Sequence, residues 1–350
     1  MTAQFVTLDA YAGSVEQRLS AALSDTSLGA GQTILLDRGL TLDFTDLVKW
    51  PSAGSLVAAN PYTTVDFNGA QIKPLHSGVT FSAKTVNGFR AKNARLIFAH
   101  GEVGTGLHSP PREPKVFALG GVSPALENIY AECQWMVADI DGCNGARVQV
   151  HALDPAVGGR TIAVGDTTRC NVITLDVFIE AGPGYHNQAA CGLLLRDCDV
   201  VNISGSILWQ FTNILVQPLS GQTASLIFIG QMNIDSAVNG VVFAPAGGAV
   251  IRPQLIGGWY GSMSGDAIRF DANAGTIDDV QVVSPVIAGV ERGLRTVGSV
   301  TNATISDPVV RQFSLYGCDF STATTGRMRD QVVASTIPGS TAYAGGRTLP

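Results

Sequence analysis

Cys191-Gly-Leu-Leu-Leu195, Asn213-Ile-Leu-Val216, Asn239-Gly-Val-Val-Phe243, Gly265-Asp-Ala-Ile-Arg269, Arg292-Gly-Leu-Arg295 and Tyr316-Gly-Cys-Asp-Phe320 form a series of short runs, most with Gly or Asn at or near the start. A second series lies between them: Ile203-Ser204, Ile229-Gly230, Ile256-Gly257, Val283-Ser284 and Ile305-Ser306. Its small residues are spaced by 26, 27, 27 and 22 positions. A fixed period of this size marks a solenoid, propeller or array. The runs are short and rich in Val and Ile, and the linkers are Gly, Asn, Asp, Ser and Pro, which is strand-and-turn chemistry. No helical period appears inside the repeat. A propeller blade needs four strands and about 40 residues, so the spacing predicts an all-β fold: a right-handed parallel β-helix with about 24–27 residues per coil. The leucine-rich horseshoe lacks its Leu and Asn signature here.

Composition agrees. Only 14% of the 350 residues are charged, against 45% hydrophobic, and ordinary chains carry about 25% charged residues. In a β-helix every second side chain enters a dry interior, and the turns need no charge. The 40 glycines are spread along the chain, which predicts one elongated domain. With net charge −6 and no Lys/Arg run, no nucleic-acid partner is expected. No 18-residue apolar stretch is present, so no membrane insertion is expected. The opening lacks a basic segment before an apolar core, so no signal peptide is read. The six cysteines, at 133, 143, 170, 191, 198 and 318, have no metal spacing. They predict free buried thiols, with no metal and no cofactor.

Residues 14–24 predict one amphipathic helix. Ser14-Val-Glu-Gln17 is a capping box, and Val15, Leu19, Ala22 and Leu23 make the apolar stripe. Strands are expected at Thr33–Leu36 and Leu40–Phe44. A lone helix ahead of a solenoid suits an end cap, since the open end exposes apolar core and unpaired backbone. The expected division is a cap at 1–45, the β-helix at 46–320 and a polar terminal tail at 321–350.

Asp9-Ala-Tyr11-Ala-Gly13, the helix, Gly29 to Gly31, Ile34 to Leu36, Gly39 and Leu40 to Leu42 resemble the opening of the pectate-lyase-like β-helix of bacteriophage tailspikes. That resemblance implies a homotrimeric virion protein, made in the host cytoplasm, that binds and in some members cleaves bacterial surface polysaccharide. Its partners would include other virion proteins. The competing readings are a non-enzymatic structural virion component and a stand-alone polysaccharide hydrolase or lyase. Polygalacturonase-type relatives carry Asn-x-Asp, Asp-Asp, Gly-His-Gly and Arg-x-Lys in that order. This chain has Asn233-Ile-Asp235 and Asp278-Asp279, but no Gly-His-Gly and no His after His186.

Residues one period apart sit about 4.8 Å apart on one face of a β-helix. Counting from the small-residue ladder places Trp209, Asp235 and Ser262 in one column, with Trp259 and Tyr260 beside it. Tryptophan faces stack on sugar rings, and a carboxylate bonds their hydroxyls. The expected substrate-binding residues are therefore Trp209, Trp259 and Tyr260. Asp235 and Glu291 are the expected catalytic carboxylates, about two coils or 10 Å apart, a separation that suits only an inverting hydrolase. The same count stacks Asp279 on Arg252 as a surface ion pair. Asp139 and Asp141 are read as a strand-to-turn exit rather than a catalytic pair.

Overall fold

The computed structural model describes residues 4–46, 49, 56–75, 78–97, 114–132, 134–156, 158–181, 189–344 and 349. Cys133, His186 and nearly all of the expected loop at 99–115 lie outside the described residues. The chain is mostly parallel strands in a right-handed β-solenoid of about 12 turns, with one short helix near the N-terminus. It divides into two compact units, Met1–Ile179 and Glu180–Pro350.

In the first unit the inward column runs Ile34, Val65, Ala91, Leu126 and Val148, each in register with the next. All five are at most 2% exposed. Phe81 stacks on Phe117 at 5.2 Å beside them. The helix spans Val15–Ser24 and carries the expected capping box. Ser14 N–H donates to Gln17 Oε1 at 2.9 Å, and Gln17 N–H donates to Ser14 Oγ at 3.4 Å. Leu19, Ala22 and Leu23 are buried, and the Leu23 carbonyl accepts from Ala59 N–H at 3.0 Å. The helix is too short and too polar to cross a membrane, and no described helix is long and apolar enough to do so.

In the second unit the ladder that drew attention to the repeat needs a correction. The inward column is Ile203, Ile229, Leu255, Val282 and Ile305, at steps of 26, 26, 27 and 23. Ile256 and Val283, expected inside, are one residue late. Ile256 is 47% exposed, while Leu255 and Val282 are fully buried. A strand alternates sides at every residue, so a slip of one position turns the side chain to the opposite face.

The corners of the coils explain the slip. Val200, Leu226, Arg252, Asp279 and Asn302 each have φ between 50° and 55°, and they follow one another coil by coil. Trp209, Ser236, Ser262, Gly289 and Gln312 make a second such column, φ 52° to 67°. One left-handed residue per corner bends the chain from one strand face to the next. The expected Arg252–Asp279 pair stands at such a corner, Nε to Oδ2 2.9 Å.

The repeat does not stop at Phe320. Strands Gly326–Arg329 and Val332–Ala334 pair in register with Ala303–Ser306 and with Val309–Arg311. Part of the expected tail is thus a further coil; its polar composition misled because alternate residues on a last coil face water. Cys143, Cys170, Cys191, Cys198 and Cys318 are buried.

Candidate functional site

In the second unit, Asn233–Asp235 pairs with Trp259–Gly261, which pairs with Val286–Ala288, which pairs with Val309–Arg311. The middle residue of each triplet, Ile234, Tyr260, Ile287 and Val310, points inward and is fully buried. The flanking residues face outward. One outward column is Asn233, Trp259, Val286, Val309 and Val332; the other is Asp235, Gly261, Ala288 and Arg311.

Trp259 is 40% exposed. Its indole lies across Gly261, where an added Cβ would stand 2.5 Å from the indole Nε1. Only a residue without a side chain leaves that space. The Nε1–H donates to Asp235 Oδ2 at 3.3 Å, and Ser236 Oγ–H donates to Asp235 Oδ1 at 3.1 Å. The Asp235 backbone carbonyl accepts from Trp209 N–H at 3.3 Å and from Asn213 Nδ2 at 3.2 Å. Asp235 is therefore fixed at both ends, with a half-exposed indole held against it. Phe211, 50% exposed, adds a second aromatic on this unit.

Two expected positions change. Tyr260 is 0% exposed and faces the interior, so it offers no surface to a ligand. It alternates with Trp259 on one strand, and adjacent strand residues cannot share a face. Its hydroxyl is buried without a hydrogen-bond partner among the described residues, and burial pushes its pKa well above the usual tyrosine value. Trp209 aligns with Ser236, not Asp235, and sits at the left-handed corner with φ 65°. A bulky residue there is strained.

Glu291 lies past the corner at Gly289, whereas Asp235 lies before the equivalent corner at Ser236. Its carboxylate is engaged by Arg292 at 2.9 Å. Arg292 also approaches Asp266, buried with 3% side-chain exposure, which Arg269 and Arg295 contact at 3.5 and 3.2 Å. Glu291 thus belongs to an arginine–carboxylate lattice beyond the Trp259 face.

A carboxylate pair that the sequence placed at a turn exit is assembled in the first unit. Asp139 and Asp141 lie two apart on strand Met136–Asn144, 2% and 7% exposed. Lys115 Nζ is 2.8 Å from Asp139 Oδ2, and Lys84 Nζ is 3.5 Å from Asp139 and 3.7 Å from Asp141. Asp141 accepts from the backbone N–H groups of Thr167 and Thr168 at 3.0 and 2.7 Å and from the Thr167 hydroxyl. Asp141 therefore anchors the neighbouring turn. Asp139 Oδ1 has no hydrogen-bond partner among the described residues. Sequence spacing announced the pair, but not the two lysines that offset its like-charge repulsion.

No protein-family model matches the sequence, and no curated protein matches it. Solved structures do match in fold. A tailspike protein of E. coli bacteriophage HK620, 12% identical, superposes with a TM-score of 0.66 over 96% of this chain and 66% of that one. The A-module of the Azotobacter vinelandii mannuronan C-5 epimerase AlgE4 gives 0.72 at 11% identity, covering 99% of this chain and all of that one. PfbA, a surface adhesin of Streptococcus pneumoniae, gives 0.61 at 11% identity over 98% and 92%. The chain spans just under two thirds of that tailspike's length. The structural neighbours of this chain are phage tailspikes and other right-handed β-helix proteins, and the likeness is one of fold.

Proposed function

We propose that the protein is a tailspike- or tail-fibre-type virion component that binds bacterial surface polysaccharide on the face bearing Trp259 and Asp235. One observation carries this reading. The indole is held flat over Gly261 by its bond to Asp235 and leaves 40% of its surface open. A fixed, half-exposed ring beside an anchored carboxylate supplies the stacking face and hydrogen-bond acceptor that a pyranose needs. The fold likeness supports it, since the HK620 tailspike has been solved in complex with a pentasaccharide.

Homotrimeric assembly belongs to the same proposal. Val286 and Val332 are 38% and 46% exposed in the column that contains Trp259, with Val309 between them. Adjacent exposed valines suit burial against another copy. Cleavage has weaker support: a corner separates Asp235 from Glu291, and Arg292 holds Glu291. Binding is the function proposed.

The test is retention on a panel of immobilised bacterial capsular and lipopolysaccharide glycans, followed by analysis of chain length. Binding lost in Trp259→Ala supports the reading. Binding to none of the panel, or binding indifferent to Trp259, overturns it. Shortened glycans would restore the enzymatic alternative.

A further inference from the structure

The first unit carries a face with the same two ingredients in a different arrangement. Strand Arg147–Leu153 alternates cleanly, so Arg147, Gln149 and His151 all point outward. The coil on one side presents Thr174, Asp176 and Phe178, and the coil on the other presents Ala125, Glu127 and Tyr130. Two columns stand out.

At one edge, Arg90, Ala125 and Arg147 are aligned on three successive coils. Neighbouring coils are about 4.8 Å apart. The two arginines therefore flank the small Ala125 at about 10 Å from each other along the coil axis. The gap opens a cavity of about 530 Å³, bounded by Ser123, Pro124, Gly145 and Val172 at the corner and by Thr174 beyond. That lies within the roughly 300–1,000 Å³ range of ligand sites. Arg90 is 3.7 Å from Glu127, and Arg147 is exposed with no ion-pair partner among the described residues. The lining thus carries two arginines against one carboxylate, Glu127, and Asp176 faces outward on the next coil.

Four residues along the same strand, about 13 Å away, a ladder of rings crosses the coils. Tyr130 meets His151 edge-to-face at 5.5 Å, and His151 meets Phe178 at 4.6 Å. Arg95 lies over the Tyr130 ring at 5.4 Å. His151 is exposed, and Phe178 is 38% exposed.

We propose that this face of the first unit is a carbohydrate-contact surface for an acidic oligosaccharide, with sugar rings against Tyr130, His151 and Phe178 and a carboxylate held by Arg147 and Arg90. The ring ladder offers apolar faces with polar rims, which suits pyranoses. The planar guanidinium fork matches a carboxylate in two hydrogen bonds. The distance between the two features calls for an extended oligosaccharide, not a single sugar. This inference rests on the proposed carbohydrate-binding role and adds the charge class of the glycan.

The test is a titration of the full chain with oligogalacturonate, using malto-oligosaccharide of matched length as the neutral control. Oligogalacturonate binds and the neutral chain does not, and the affinity falls as salt rises. Arg147→Ala weakens binding by about tenfold or more, with an unchanged melting temperature because the side chain is exposed. Phe178→Ala weakens it as well; Phe178→Tyr, which keeps the ring, restores it and controls for packing. Equal binding of the neutral chain, or full binding in Arg147→Ala, overturns the inference. Retention of other glycans through Trp259 without oligogalacturonate binding overturns this inference alone. Absence of any glycan binding overturns both readings.

Discussion

Trp259 and Asp235 stand one coil apart on the outer face, and the indole Nε1–H of Trp259 donates to Oδ2 of Asp235 at 3.3 Å. The bond fixes a large ring that would otherwise sample several rotamers on the surface. A ring already held in place loses less freedom when a sugar stacks on it.

Asp235→Asn keeps an acceptor for the indole but removes the charge, whereas Asp235→Ala removes both. Glycan affinity is expected to be nearly unchanged in the first and about tenfold weaker in the second, read by titration against the glycan that the wild type retains. Equal losses in both would mean that the carboxylate charge, not the ring position, carries binding.

Gly261→Ala places a Cβ 2.5 Å from the Trp259 Nε1. The indole must swing outward and give up Asp235. The expected readout is a red shift of tryptophan emission and a loss of glycan binding as large as that of Trp259→Ala. The stability change is expected to stay within about 1 kcal/mol, since the ring is on the surface.

Tyr260→Phe removes a hydroxyl that is fully buried without a partner among the described residues. Leaving such a group unmet in the interior costs about 1–3 kcal/mol, so the variant is expected to be as stable as the wild type or about 1 kcal/mol more stable in urea denaturation. Glycan binding stays unchanged. A clear loss of stability would reveal a bonded partner for the hydroxyl.

The Thr301 hydroxyl donates to Asp278 at 2.5 Å and Asn302 Nδ2 donates at 2.9 Å, and these bonds hold the Asp278 pKa below its usual 3.8. The folded state thus binds the proton less tightly than the unfolded state. The stabilisation is fully present above pH 3.8 and is lost as pH falls through the lower folded value. Asp278→Asn is therefore expected to lower the melting temperature at pH 7 and to have a smaller effect toward pH 3. An equal effect at both would place the loss in packing.

The valine column predicts assembly. Light scattering at micromolar concentration is expected to give the mass of three chains, and Val309→Asp to shift it toward one. A monomer mass for the wild type would remove the homotrimer from the proposal.

The sequence by itself determined the architecture and the one short helix near its start. The spacing of Ile203-Ser204, Ile229-Gly230 and their successors announced stacked coils, because each coil must return an apolar residue to the same interior column. Ser14 and Gln17 announced the helix start, because a capping box is a local arrangement that needs no distant partner. The corner pair Arg252–Asp279 was legible as well. Only the tertiary structure decided which residues share a face. Real coil steps of 26, 26, 27 and 23 are absorbed at left-handed corners that no residue type reliably marks: Val200, Leu226 and Trp209 occupy them as readily as Gly289. A one-residue error in the count reverses a side chain, which is why Ile256 was expected inside and faces out, and Tyr260, next to the outward Trp259, lies in the core. The ring ladder of Tyr130, His151 and Phe178 was invisible for the same reason. Its members are 21 and 27 residues apart, and that irregular spacing becomes a column only when the chain closes each coil.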